Sequence, residues 1–102
     1  MTDRIFSLLS LCRKAGKVSS GEFAVEEDLK RRRAKLVILS EEASENTKKK
    51  FRNMCDYRKV PCILYGGKEQ LGHCIGCGER AVACVTDEGF AGKLLQLHEQ
   101  LH

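Results

Sequence analysis

Long apolar runs, proline and recognisable catalytic motifs are all scarce in this 102-residue chain. The uninterrupted apolar stretches are a few residues long, far short of the ~20 that span a bilayer, so no membrane-spanning helix is expected. Asp3 and Arg4 break the basic, apolar and small-residue order of a secretory signal, which points to a cytoplasmic setting. Pro61 is the only proline, and no repeat, low-complexity tract or linker divides the chain. One domain over residues 1–102 is expected, large enough for a core and too small for two. There is no G-x-x-x-x-G-K-[ST] loop, no nucleophile elbow and no spaced carboxylate pair, so the sequence indicates no enzyme.

Cysteine, by contrast, is plentiful, with six residues. Without a secretory signal a disulfide framework is disfavoured. Cys12, Cys62 and Cys84 lie in apolar segments, where a free thiol behaves as a small hydrophobe. Cys74 and Cys77 form a C-x-x-C, but Cys55 and Cys62 have the wrong spacing to complete a zinc knuckle or ribbon. His98 and His102 stand four apart on the last helix without a third ligand, so solvated imidazoles are expected there. No metal and no cofactor is expected.

Charge is unevenly spread. Residues 1–60 hold 15 Lys and Arg against 9 Asp and Glu, whereas residues 61–102 hold 3 against 5. The basic groups are Arg13-Lys14 with Lys17, Lys30-Arg31-Arg32-Arg33 with Lys35, and Lys48-Lys49-Lys50 with Arg52. One such cluster is ordinarily a solvated helix face. Three in half of a small domain favour a polyanion, because each neutralised phosphate releases counterions.

Helix and strand patterns alternate. Residues 3–14 make an amphipathic helix through Ile5, Leu8, Leu9 and Cys12, ended by Ala15-Gly16. Val18-Ser19 is a brief extended link, and Ser19 with Glu22 has capping-box spacing for a second helix burying Val25 and Leu29. Leu36–Leu39 is a continuous apolar run, expected of a central strand covered on both faces. Ser44 caps a third helix with Thr47, Phe51, Met54 and Cys55 inward and Lys48, Lys49 and Arg52 outward. Residues 60–65 form a second strand. Gly66-Gly67 turn into a short helix, Lys68–Cys74, burying Leu71 and Ile75. Residues 81–86 form a third strand, and Asp87 caps a last helix striped by Phe90, Leu94, Leu97 and Leu101. Short strands alternating with helices call for a small sheet between helical layers.

Two glycine-flanked segments remain. Ser20-Gly21 places backbone N–H groups at a helix start, suited to phosphate or polar base edges. Gly76-Cys77-Gly78, followed by Glu79 and Arg80, is a flexible loop able to approach a ligand closely. Taken singly, such glycines merely cap and turn. The loops after Val18, after Leu39 and before Ala81 form one surface if they share an end of the sheet.

Ser20-Gly21 before a helix, Arg33-Ala34-Lys35-Leu36-Val37-Ile38-Leu39, Val60-Pro61, and Leu71-Gly72 with Ile75-Gly76 together resemble the L7Ae/L30e ribosomal protein family over nearly the whole chain. The segments 41–50 and 86–91 are similar to its bacterial YlxQ-like branch. The resemblance implies an α/β fold, a three-layer α/β/α sandwich around a mixed four-stranded sheet. It also implies binding to kink-turn RNA, a sharply bent internal loop flanked by sheared G·A pairs. Archaeal members start the second helix with Gly-x-Asn-Glu-x-x-Lys, whose side chains read those pairs. Gly21, Phe23, Ala24 and Glu27 stand at the matching positions here, so only the glycine is kept and base readout must be made differently. Phe23 either stacks on a flipped base or packs in the core.

The resemblance thus implies a non-catalytic RNA-binding protein, on ribosomal or structured regulatory RNA, acting as a monomer with ribosomal proteins as further partners. Ser20, Gly21, Glu22 and Phe23 would meet the bent loop, with Gly76, Cys77, Gly78 and Arg80 beside them. Lys14, Lys17, Arg33 and Lys48 would supply phosphate contacts. A protein–protein adaptor that kept the fold and lost RNA recognition is the alternative, and a small metal-binding or redox protein comes third.

Overall fold

The computed structural model describes residues 3–101; His102 lies outside them. Helix α1 (Arg4–Lys14) starts where Asp3 Oδ1 accepts the Phe6 N–H at 2.9 Å, and its buried face is Ile5, Leu9 and Cys12. Strand β1 (Val18–Ser20) follows, then α2 (Glu22–Lys30), β2 (Leu36–Leu39), α3 (Glu45–Arg58) and β3 (Cys62–Leu64). The chain ends with α4 (Lys68–Cys74), β4 (Val82–Val85) and α5 (Glu88–Glu99). Ser44 caps α3 through the Thr47 N–H at 3.1 Å, and Asp87 caps α5 through the Phe90 N–H at 2.9 Å.

The sheet order is β1-β4-β2-β3, with β2 and β3 parallel and the other pairs antiparallel. The two central strands are buried throughout, as an apolar run without alternation requires. Successive side chains feed opposite layers. Leu36, Ile38, Ala83 and Val85 pack with α1, α4 and α5, while Val37, Leu39, Val82 and Cys84 pack with Val25 and Leu29 of α2 and Phe51 and Cys55 of α3. Each such Val, Leu, Ile or Phe side chain stabilises the fold by roughly 1.5–3 kcal/mol relative to exposure. The architecture is the three-layer α/β/α sandwich with a mixed four-stranded sheet.

Several details differ from the sequence expectations. The link at Val18-Ser19 is a strand, because Val18, Ser19 and Ser20 pair with Val85, Cys84 and Ala83. Ser19 therefore caps nothing: the α2 N-cap is Gly21, at φ 91°, and no side chain caps that start. The strands expected over 60–65 and 81–86 are shorter, and Leu101 lies beyond α5 and is exposed. Thr47 and Met54 are only half-buried.

Four helices end in the same Schellman closure, in which a left-handed residue lets two N–H groups reach the last carbonyls. In α1 and α4 that residue is glycine, Gly16 and Gly76, both at φ 73°. In α2 and α3 it is Arg32 at φ 59° and Lys59 at φ 58°. The left-handed conformation costs an L side chain about 1 kcal/mol or more, which glycine avoids.

Candidate nucleic-acid interface

Pairing directions decide what meets at each end of the sheet. Strands β1, β2 and β3 point one way and β4 the other, so the segments after the first three and before the fourth converge at one pole. Hydrogen bonds join them there: Gly21 N–H to Val82 O at 2.9 Å, Ser40 N–H to Ala81 O at 2.8 Å, and Glu41 N–H to Gly66 O at 2.8 Å. The fully buried Ser40 hydroxyl donates to Gly66 O at 3.1 Å and accepts the Glu42 N–H at 3.0 Å, fastening the end of β2 to the turn after β3.

The loop from Gly76 to Arg80 folds back along α4 to this pole. Cys77 N–H reaches Gly72 O at 2.8 Å, and Arg80 N–H reaches Lys68 O at 3.1 Å. The half-buried Arg80 side chain donates Nε–H to Ser20 Oγ at 3.2 Å and Nη1–H to Glu79 O at 2.9 Å. Arg80 thus ties the 76–80 loop to Ser20, next to the α2 start at Gly21, Glu22 and Phe23. Cys77 packs partly against the core, and Gly78 and Glu79 are exposed.

Phe23 is 81% exposed, which removes core packing as its role. Glu22 is engaged by α3: Thr47 Oγ1 donates to it at 3.4 Å and Lys50 Nζ lies 3.9 Å away. Lys50 also sits 3.0 Å from Glu26, and its hydrogen bond holds that carboxyl below the usual range.

The expected phosphate contacts do not form one group. Lys14 is exposed in the last turn of α1. Next to it Arg13, which the sequence argument had not selected, packs against the loop: a β-carbon on Gly76 would lie 3.0 Å from its guanidinium carbon. No local signal marks that contact, since it joins positions 13 and 76. Lys48, expected outward, keeps only 16% of its side chain exposed and lies 3.6 Å from Glu45. Lys17 and Arg33 stand at the opposite pole. Lys17 O accepts the Thr86 N–H just past β4, and Arg33 precedes β2, where Lys35 N–H bonds Val85 O. The reason lies in α2: it runs back from the converging pole, and cations gather at helix C-termini, so the Lys30–Arg33 tract is carried away from it.

Four of the thiols, Cys12, Cys55, Cys74 and Cys84, are poorly suited to nucleophilic work. Burial pushes Cys12 and Cys74 up to about 11 and Cys84 up to about 12. The Cys55–Cys62 hydrogen bond lowers Cys62 and raises Cys55. All six cysteines are free, and no group of three or more His, Cys, Asp or Glu among the described residues is placed to hold a metal. His98, expected in solvent, is half-buried, 3.3 Å from Leu64 O and edge-on to Tyr65. Among the described residues no helix is long and apolar enough to cross a membrane.

The model of the ribosomal protein L7Ae/L30e/S12e/Gadd45 family matches residues 3–95. The chain belongs to that family. It is 48% identical over 92 residues to a Bacillus subtilis protein named RNA-binding protein YlxQ, covering 90% of this chain and 92% of that one. An Enterococcus faecium protein of the same name is 35% identical over 96 residues, covering 94% and 92%. A solved Bacillus halodurans C structure, described as a protein with unknown function, superposes with TM-score 0.93 at 36% identity over 96% of this chain and 99% of that one. The L7Ae-type sandwich also appears in the Giardia lamblia 15.5kD RNA binding protein, at TM-score 0.75 and 18% identity over 95% and 92% of the chains.

Proposed function

We propose that this chain is an RNA-binding protein whose interface is the pole where β1, β2 and β3 end, and that it recognises sharply bent, kink-turn-like RNA in ribosomal or structured regulatory transcripts. The single observation that carries the reading is Phe23, an exposed ring beside the uncapped α2 start and the Arg80 loop. The ring offers a stacking face for an extruded base, worth ~1–3 kcal/mol. The N–H groups after Gly21 and the guanidinium of Arg13 offer phosphate contacts on either side. The names of the two curated relatives and the family's ribosomal members support RNA as the ligand.

Recognition here rests on shape and stacking, since Phe23 and Glu27 replace amide and ammonium donors that would read G·A edges. Filter binding tests it with a kink-turn RNA and a copy whose sheared G·A pairs are changed to Watson–Crick pairs. The wild type binds the bent RNA about tenfold or more tightly, and Phe23→Ala loses about fivefold or more, the low end of one stacked base. Arg13→Ala flattens the salt dependence by roughly one phosphate contact, whereas Arg33→Ala, at the other pole, leaves it unchanged. Equal affinity for both RNAs refutes the bent-RNA reading; an unaffected Phe23→Ala refutes the placement of the interface.

A further inference from the structure

The opposite pole holds a cleft of about 500 Å³ between the C-terminal turns of α2 and α3, the start of α5 and the lead-ins to β2 and β3. Its floor is aliphatic, with Leu29, Val60, Pro61 and Leu95. Its rim carries Arg32, Lys35, Arg58 and Lys59 against one acid, Glu88. Lys35 Nζ lies 3.9 Å from Glu88, but no carboxylate among the described residues pairs with Arg32, Arg58 or Lys59. Arg58 is held over the Tyr57 ring at 5.3 Å.

The backbone adds an independent observation. Arg32 and Lys59 are the two non-glycine residues at positive φ among the described residues, and both line this cleft. The equivalent closing positions of α1 and α4 are glycine, so the fold accepts glycine there and a cation is not needed to end a helix. Such backbone outliers cluster at ligand-binding sites, and here two fall on one cleft.

We infer that this cleft is a second binding site, taking an acidic segment with aliphatic side chains from a partner protein. The rim supplies charge complementarity and the floor a dry, apolar seat. A nucleic acid fits less well: the lining contains no aromatic ring, Tyr57 lying outside it against Arg58, and Glu88, 84% exposed on its side chain, would repel phosphate. The inference is independent of the RNA reading, because the residues involved lie at the other end of the sheet.

The test titrates isotope-labelled full-length protein, by amide NMR and anisotropy, with three probes of about twelve units: a leucine–glutamate peptide, an all-glutamate peptide and oligouridylate. The double variant Arg32→Gly, Lys59→Gly removes two cations while relieving two strained positions, so folding is preserved. The leucine–glutamate peptide is expected to move the amides of Ala34, Lys35 and Val60 and leave Gly21 and Phe23 in place. The all-glutamate peptide and the double variant each bind about tenfold or more weakly, while Phe23→Ala binds like the wild type. The inference is overturned by peptide shifts confined to the Gly21 pole, by no shifts at millimolar peptide, or by wild-type affinity in the double variant. It is equally overturned if oligouridylate is the probe that fills the cleft, or if a second copy of the chain occupies it in sedimentation.

Discussion

Replacing Gly72 by alanine tests how tightly the recognition loop is seated. A β-carbon there would overlap the Gly78 carbonyl oxygen, 2.7 Å from its carbonyl carbon and 3.2 Å from Glu79 Cα. These are backbone atoms, so no rotamer change relieves the overlap, and the 76–80 loop must retreat by roughly 1 Å or more. That retreat strains the Cys77–Gly72 and Arg80–Lys68 hydrogen bonds that hold the loop to α4. Overpacking of this kind costs up to ~3 kcal/mol, and alanine's better helix propensity offsets about 1 kcal/mol of it. A net loss of about 2 kcal/mol lowers the melting temperature of a domain this size by roughly 8–16 °C. RNA affinity at 25 °C, where the variant is still folded, should fall as well, because the loop carries Arg80. Gly78→Ala is the control, since its β-carbon meets nothing within 4 Å; its stability should stay within ~0.5 kcal/mol. Circular-dichroism melts of both variants decide the matter. A Gly72→Ala protein that melts within a degree or two of wild type would show that the loop is not seated as described.

Three further outcomes are expected. Lys59→Gly should raise the urea midpoint, because relief of the left-handed side chain, about 1 kcal/mol, outweighs the added freedom of the unfolded chain, about 0.5 kcal/mol; Gly16→Ala should do the reverse even though its β-carbon has open space. Burial, then the hydrogen bond to Asp3, pushes the Tyr65 hydroxyl from 10 up to about 12, so its neutral form is favoured by folding. The associated stability is complete below pH 10 and is lost as pH rises through about 12, and Tyr65→Phe should flatten that part of an alkaline unfolding profile.

Much of the fold was legible because local chemistry and burial agree. The unbroken run Leu36–Leu39 could only be a covered strand, the caps at Ser44 and Asp87 stand where side-chain oxygens precede apolar stripes, and Gly66-Gly67 delivers Lys68–Cys74. Strand β1 was not legible, since Val18-Ser19-Ser20 has one apolar residue and owes its conformation to pairing with β4. At the candidate interface, Gly21 was visible at a helix start and the family resemblance supplied Phe23 and the 76–80 loop beside it, but Arg13 was not visible. Arg13 reaches the loop through a contact between distant positions, and counting cations along the chain could not reveal that strand direction would send Arg33 and Lys17 to one pole and Arg80 to the other.

The sheet terminates on both sides in strands of three residues, β1 and β3. A neighbour seeking to extend it laterally finds a template too short to hold register, with Pro61 beside one of them withholding a donor. Two copies brought side by side would therefore find little along these flanks to fuse through.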